Sequence, residues 1–98
     1  MSRALHDPSE ASVEGACCKY ARRVGVSPVK LAVEPGMPDR LFLLPGGVAW
    51  LVEFKTRTGR LSKKQQWCFA ALEAFGHSVS VIRSTTDFRL ELRKRLTL

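Results

Sequence analysis

Apolar residues recur at helical spacing in two parts of the chain. The first stripe comprises Val13, Ala16, Cys17, Tyr20 and Val24, and the second comprises Cys68, Phe69, Leu72 and Phe75. Residues three and four apart lie on one face of a helix, so each stripe predicts a helix packed on a core. For the first helix we predict Asp7 as N-cap, Pro8 at the first helical position, a capping box completed by Glu10, and an end at Gly25. The second helix is predicted over residues 62–75.

Shorter apolar segments between and after these helices predict four strands. They cover residues 29–34, 39–44, 48–55 and 78–83. In the third strand Trp50, Leu51 and Val52 are apolar on both faces, as expected of a strand covered on each side. Thr86 and Asp87 are predicted to cap a last helix that continues through Leu96. The resulting order, α-β-β-β-α-β-α, places the protein in the α/β class.

The turn between the second and third strands decides whether two acidic residues share a face of the sheet. A two-residue turn, Gly46-Gly47, would pair Arg40 with Glu53 and send Asp39 to the opposite face. A three-residue loop with Pro45 pairs Asp39 with Glu53. Pro45 suits the first central position of a type I turn and Gly47 the left-handed residue that closes such loops, so we expect the second register. Directly opposed side chains have Cβ atoms roughly 4.5–5.5 Å apart, close enough for two carboxylates to reach one cation.

The strand-end residues Asp39, Glu53 and Lys55 form a constellation suited to phosphodiester hydrolysis. The period of a strand puts Glu53 and Lys55 on one face and Phe54 on the other. Mg²⁺ or Mn²⁺ would take the two carboxylates as ligands, with the Phe54 carbonyl as a further oxygen, and would lower the pKa of bound water. Lys55 would orient that water or neutralise charge on the phosphate. The alternatives are that Asp39 only caps a turn and that Glu53 and Lys55 form a solvated ion pair.

Neighbouring residues extend this constellation. Gln65 has two candidate roles, one in a Ser62-x-x-Gln65 capping box and one in holding Lys55 or a metal-bound water. Glu14 lies beside the first apolar stripe and is a further candidate metal ligand, although a surface position fits it equally well. A basic rim is predicted to contact DNA, beside a helix N-terminus that attracts anions. The rim comprises Arg57, Arg60, Lys63 and Lys64.

Composition limits the class of protein. The 98 residues are expected to form one domain, with residues 1–7 as a flexible leader, and their net charge of +7 favours a polyanionic partner. Cys17, Cys18 and Cys68 show no metal-binding spacing, so we expect small core residues in a reducing cytoplasm rather than a zinc site with His6 and His77. The sequence has no apolar segment of membrane-spanning length, so no membrane association is expected.

Several short motifs, in order, resemble the VRR-NUC domain, a branch of the PD-(D/E)XK superfamily of restriction-endonuclease-like nucleases. The motifs are Val13-Glu14, Gly36-x-Pro38-Asp39-Arg40, Val52-Glu53-Phe54-Lys55, Gly59-x-Leu61-Ser62-x-x-Gln65 and Gly76-His77-x-Val79-x-Val81. Phe54 stands where the family commonly has leucine. The resemblance implies a mixed sheet flanked by helices. It also implies a catalytic set, which comprises Glu14, Asp39, Glu53, Lys55 and Gln65.

The resemblance further implies a functional setting. The chain is similar to small stand-alone phage and prophage members, which act as homodimers on branched DNA such as four-way (Holliday) junctions. We therefore expect a Mg²⁺- or Mn²⁺-dependent, structure-selective DNA endonuclease in the cytoplasm of a bacterial or phage-infected cell. Two other hypotheses stay open from the residues alone. One is a non-catalytic basic nucleic-acid-binding module, and the other is an assembly subunit whose basic face docks an acidic partner.

Overall fold

A computed structural model of the protein describes residues 8–31 and 34–97, in which the helices and strands follow the predicted order. The helices are α1 (Glu10–Arg23), α2 (Lys63–Ala74) and α3 (Thr85–Leu96). The strands are β1 (Ser27–Lys30), β2 (Arg40–Leu44), β3 (Val48–Phe54) and β4 (Val79–Ile82). None of the helices in these residues is both long and apolar enough to cross a membrane.

The four strands form one mixed sheet in the order β1-β2-β3-β4. The first three strands are antiparallel, and β4 runs parallel to β3 after the crossover through α2. Leu44 pairs with Val48, which confirms the three-residue loop. The predicted type I turn is wrong, because Gly46 has φ 84° as well as Gly47 at 78°. Positive φ directly after Pro45 is the pattern of a type II turn.

The hydrophobic core lies on the sheet face that α1 and α3 cover. Phe42, Trp50 and Phe54 project from this face toward Phe88 of α3, with ring centroids 5.0 to 6.3 Å from the Phe88 ring. Offset and tilted aromatic contacts at this spacing add to the free energy of burying the rings. The core therefore fixes the even-numbered face of β3, and with it the direction in which the odd-numbered side chains point.

Helix α2 lies on the opposite face, where it packs against β4 at one edge of the sheet. Phe69 is the buried residue of this helix. Leu51 of β3 is half-buried and Leu43 of β2 is 44% exposed, so the cover on this side is incomplete. The predicted burial of β3 on both faces is thus confirmed for Trp50 and Val52, and only in part for their neighbour Leu51.

Two predicted helix starts are wrong. Ser9, not Asp7, caps α1 by accepting a hydrogen bond from the Ser12 amide, which puts Glu10 at the first helical position rather than in a capping box. Ser84 caps α3 in the same way through the Asp87 amide. In both places a serine competes with an aspartate nearby, and both side chains are good N-caps, so sequence preference alone does not choose between them. Asp7 and the predicted leader lie outside the described residues.

Other boundaries differ in detail. The first strand is Ser27–Lys30 rather than 29–34, of which residues 32–33 lie outside the described part. In α1 the buried residues are Val13, Cys17, Cys18 and Ala21, so the buried face is rotated toward Cys18 while Ala16 and Val24 are exposed. Helix α1 packs against both the sheet and α3, and contact with two neighbours buries a wider apolar face than a single stripe.

Candidate active site

Glu53 is the centre of the candidate site. It is the penultimate residue of β3 and points away from the aromatic core, toward α2, yet only 2% of its surface is exposed. It is the one buried charged residue among those described. A buried carboxylate is unfavourable unless its oxygens are paired, so the partners of Glu53 define what the site can do.

Gln65 of α2 holds one of the two Glu53 oxygens. Its Nε2 donates to Glu53 Oε2 at 3.0 Å, while its Oε1 accepts from the Ser62 amide at 2.9 Å and its own amide donates to Ser62 Oγ at 3.0 Å. The predicted capping role is thus confirmed, whereas the side-chain amide contacts Glu53 and not Lys55, and the predicted hold on a metal-bound water stays a prediction. The capping box fixes the Gln65 side chain, and the fixed side chain orients the Glu53 carboxylate.

Asp39 reaches the site from the residue before β2. The pairing of Arg40 with Val52, continued by one residue, puts Asp39 opposite Glu53, as the three-residue loop requires. Asp39 Oδ2 accepts a hydrogen bond from the Phe54 amide at 2.8 Å. This bond fixes Asp39 against the end of β3 and leaves its other oxygen outside that contact.

Lys55 follows directly after β3 and lies on the same side as Glu53. Its Nζ is 3.6 Å from Glu53 Oε2, and its backbone amide donates to the Ile82 carbonyl at 3.1 Å, which anchors the residue to β4. The Lys55 side chain is 13% exposed. An ammonium group is therefore held at the edge of the site beside the two acids.

Burial makes both acids reluctant to ionise. Desolvation, and then the nearby Asp39 charge, raise the pKa of Glu53 from 4.5 to about 7, although Lys55 acts in the opposite direction. The pKa of Asp39 is also raised, chiefly by desolvation, against the lowering effect of the Phe54 amide. Two carboxylates with raised pKa in one place form a site that a cation would stabilise.

The donor set fits a divalent cation of the magnesium type. Glu53 Oε1 is buried and has no hydrogen-bond partner among the described residues, so a cation could bind this oxygen without displacing an existing hydrogen bond. Mg²⁺ is commonly held by one or two carboxylates together with waters and substrate phosphate, so it does not need a cage of protein ligands. Within residues 8–31 and 34–97 no three His, Cys, Asp or Glu side chains gather to hold a metal. The predicted ligand role of the Phe54 carbonyl stays a prediction.

Glu14 is engaged elsewhere. Its Oε2 accepts from Arg40 Nε at 2.6 Å and lies 3.4 Å from Lys30 Nζ. Its charge contributes to the raised pKa of Asp39, so it lies near the site, but it does not join Asp39 and Glu53 in a three-acid cluster among the described residues. A ligand role for Glu14 stays a prediction that would require it to leave Arg40.

The predicted basic rim is exposed at all four positions, Arg57, Arg60, Lys63 and Lys64. Sequence reasoning missed the residue that shapes it. Arg83, directly after β4, donates through Nη1 to the carbonyls of Thr56 and Gly59, each at 2.7 Å. Arginine has several donors in a planar fork, so one side chain can hold a whole turn by its carbonyls. The pattern of β4 predicted only that Arg83 ends a strand.

The structure shows why glycine is required at position 36, two residues before Pro38. The φ of Gly36 is 91°, and a Cβ atom there would lie 2.9 Å from Cys68 Sγ and 3.1 Å from the Lys64 carbonyl. The chain therefore passes close against α2 just before it delivers Asp39, and a side chain at Gly36 would push the two apart.

The cysteines do not form a metal site in the described part of the chain. Cys17 and Cys18 are buried in the core, where desolvation raises the pKa of Cys17 to about 12, and Cys68 is half-buried beside the Pro35 carbonyl. His77 is exposed, and His6 lies outside the described residues. Cysteine as a small core residue is thus confirmed for Cys17 and Cys18.

Comparison with known proteins agrees with this geometry. A family model described as the VRR-NUC domain matches residues 8–86. The chain belongs to the VRR-NUC domain family. A solved structure titled VRR_NUC domain superposes with a TM-score of 0.77 at 26% identity, covering 86% of this chain and 94% of the other. A search of curated proteins gives no significant match. The VRR-NUC domain family is a nuclease family, and its restriction-endonuclease-like fold is the one described above.

Proposed function

We propose that this VRR-NUC domain is a Mg²⁺- or Mn²⁺-dependent endonuclease that cuts branched DNA. One observation carries the proposal: the buried Glu53 carboxylate, which lies near Asp39 and is paired with Lys55 through Oε2, has in Oε1 an oxygen without a hydrogen-bond partner among the described residues. In a purely structural ion pair, both oxygens of so buried an acid would be satisfied, because an unsatisfied buried acceptor costs about 1–3 kcal/mol or more. The alternative of a non-catalytic binding module gives no reason for this arrangement.

The metal would be held by Glu53 and Asp39, with Glu14 and the Phe54 carbonyl as further candidate ligands. When bound, it would polarise the phosphate and lower the pKa of a coordinated water. Each acid is already fixed for this task, Glu53 by Gln65 and Asp39 by the Phe54 amide. Such preorganisation keeps ligands in place without a cost at the moment of reaction.

Lys55 would act on the reacting phosphate. Its ammonium is anchored beside Glu53 and partly exposed, so it can donate to a phosphate oxygen or to the attacking water. Charge on the five-coordinate phosphate would be reduced by this donation. Arginine at this position would present a wider planar group and would not reproduce the contact.

DNA would be held by the basic rim, Arg57, Arg60, Lys63 and Lys64, next to the N-terminus of α2. Phosphate contacts of this kind are independent of base sequence, in keeping with selection by DNA shape. The preference for four-way junctions, a cytoplasmic location in a bacterial or phage-infected cell and a homodimeric working unit rest on the resemblance. A dimer would also supply the two active sites that cuts on two opposing strands require.

The test is cleavage of labelled four-way junction, flap and duplex DNA with Mg²⁺, Mn²⁺ or EDTA. We expect metal-dependent cutting that favours the junction and falls at least about 100-fold in Glu53→Gln and Asp39→Asn. The asparagine side chain can still accept the Phe54 amide, so Asp39→Asn changes the charge and preserves the backbone contact. Equal cutting in EDTA, or full activity of either variant, would refute the proposal.

Metal binding can be measured apart from activity. A ligand at 100 times its dissociation constant stabilises a protein by about 2.7 kcal/mol, or roughly 10–20 °C in a domain of this size. We expect Mn²⁺ to raise the melting temperature of the wild type and not that of Glu53→Gln. An equal rise in both would place the cation elsewhere.

A further inference from the structure

Trp67 lies on α2 with 79% of its surface exposed to solvent. Tryptophan side chains are on average well buried, because the indole ring carries a large apolar area. The other tryptophan of the chain, Trp50, follows this rule: it is 3% exposed, and its Nε1 donates to Ser80 Oγ at 2.8 Å. The fold gains little from the Trp67 ring, so the apolar area of this ring is available to a ligand.

Two lysines flank the exposed ring. Lys63 and Lys64 precede Trp67 by four and three residues, so the three side chains share the outer side of the helix. Side chains on a helix lean toward its N-terminus, which places the indole over the turn that carries the lysines. Both lysines are exposed, and neither is ion-paired within residues 8–31 and 34–97. We call this surface, Trp67 with Lys63 and Lys64, the indole platform.

The next turn of the helix leaves the ring open. Ala70 and Ala71, three and four residues after Trp67, are exposed and have small side chains. A flat group can thus lie on the indole without meeting a long side chain from that turn. An open aromatic ring beside cations is the combination that binds a single nucleic-acid strand, because the ring stacks on a base while the cations contact the phosphates.

Charge favours a nucleobase over an apolar protein surface as the ligand. The chain has a net charge of +7, and Arg60, Lys63 and Lys64 lie within the seven residues before Trp67. An apolar partner would have to cover these cations, whereas a DNA strand neutralises them. The base has to be unpaired or easily unstacked, since a base inside a continuous duplex must first be taken out of its stack.

The indole platform and the candidate active site lie on opposite sides of one helix. Gln65, which holds Glu53, is two residues from Trp67, and two residues correspond to about 200° around a helix. A helix with its side chains is about 10–12 Å across, which is roughly three nucleotide steps of about 3.4 Å. One DNA strand can therefore place a phosphate at the acids and a base on Trp67 a few nucleotides away.

We propose that Trp67, with Lys63 and Lys64, forms a binding site for an unpaired or easily unstacked base close to the cut. The inference rests on the proposed function, because branched DNA is the substrate that offers such bases, at its branch point. It gives the preference for branched DNA a physical basis. Phosphate contacts hold duplex and branched DNA alike, and only a branch supplies a base for the ring. Trp67 is thus a specificity-determining residue, not a catalytic one.

The first measurement is tryptophan fluorescence of the full chain in EDTA, which prevents metal-dependent cutting. The Trp67→Phe variant reports on Trp50 alone, so subtracting its spectrum from that of the wild type gives the Trp67 emission. We expect four-way junction and flap DNA to quench this emission much more than a continuous duplex of equal length. Equal quenching by duplex and branched DNA, or quenching by neither, would overturn the inference.

The second measurement is the affinity for labelled junction and duplex DNA, by fluorescence anisotropy in EDTA. Base stacking on an aromatic ring is strong enough that Trp67→Ala should weaken junction binding at least about 5-fold, with little change for the duplex. Trp67→Phe keeps a smaller ring and should lose less. An equal loss for both DNAs would mean that the ring does not read the branch.

Phe75→Ala is the matched control. Phe75 is 80% exposed at the end of the same helix, but residues 65–82 contain no Lys or Arg, so it has no flanking cations. This variant should bind both DNAs like the wild type, and circular dichroism checks that every variant is folded. If Phe75→Ala lost junction affinity as Trp67→Ala does, the loss would come from exposed aromatic area in general, and the indole platform would not be a base site.

A protein contact at Trp67 would give a different result. If the Trp67 emission of the DNA-free protein moved to shorter wavelength between about 1 and 100 μM, the ring would be buried between copies, and the base site would be wrong. We expect the emission to be independent of protein concentration.

Failure of this inference can be told apart from failure of the nuclease proposal, because the binding measurements require no cutting. A protein that binds junctions through Trp67 in EDTA and cuts nothing with Mn²⁺ would keep the base site and refute the nuclease. A Trp67→Ala variant that binds and cuts junctions like the wild type would refute the base site alone.

Discussion

Replacing Glu53 by glutamine should make the metal-free protein more stable at neutral and alkaline pH. The folded state raises the pKa of Glu53 from 4.5 to about 7, mainly by desolvation. Folding therefore favours the protonated acid. Between these two values the folded protein holds a proton that the unfolded chain releases, so stability falls as pH rises.

The magnitude follows from the pKa change. One pKa unit corresponds to about 1.4 kcal/mol, so a rise from 4.5 to about 7 corresponds to on the order of 3 kcal/mol. Glutamine has nearly the same shape, still offers an oxygen to Gln65 Nε2, and cannot ionise. The variant and the wild type should be about equally stable near pH 4.5, and the variant should gain the full difference above pH 7.

The assay is urea unfolding in EDTA from pH 4 to 8, followed by circular dichroism. Glu34→Gln is the control, because Glu34 is an exposed acid that lies outside the helices and strands. The difference in free energy of unfolding between Glu53→Gln and wild type should grow with pH, and that of the control should stay flat. A difference that is constant with pH, or a less stable variant at pH 8, would show that Lys55 already compensates the buried charge.

Three further predictions concern the neighbours of Glu53. Gln65→Glu should keep the capping box, which accepts either residue, yet lose the donor to Glu53, so DNA cleavage should fall at least about 10-fold while the melting temperature changes by a few degrees. A parallel loss of both would mean that capping is its only role. Arg83→Lys should raise KM for DNA more than it lowers kcat, because it releases the turn that presents the rim and leaves the acids in place. A KM for DNA equal to that of the wild type would contradict this role of Arg83. Arg60→Gln with Lys63→Gln should reduce the slope of log Kd against log salt by about 2, measured by fluorescence anisotropy, since each phosphate contact contributes about 1. A slope equal to that of the wild type would remove both residues from the DNA contact.

The fold could be predicted from sequence because its signals were local and strong. Helical and strand periods gave the order of elements, and one loop length fixed the register that brings Asp39 opposite Glu53. Local signals failed where two residues competed for the same task. Ser9 and Ser84 are the N-caps instead of the nearby aspartates. Gly46 adopts a left-handed conformation that a type I turn does not contain at this position.

The site was predictable as a set of residues and not as a set of contacts. Spacing put Glu53 and Lys55 on one face, but no pattern shows that Gln65 binds one Glu53 oxygen while the other has no partner within the described part of the chain. Arg83 was missed for a related reason. It holds a turn about 25 positions earlier through backbone carbonyls, and carbonyls have no sequence signature.

Net charge alone could not divide the surface by function. A value of +7 predicts affinity for DNA, and it hides the fact that residues 41–52 and 65–80 contribute none of the cations. Once the strands are paired, these segments form an apolar face beside α2, while Arg57, Arg60, Lys63 and Lys64 are exposed around the start of the same helix. Salt should therefore weaken DNA binding, which depends on these four exposed cations, and should have little effect on the apolar face.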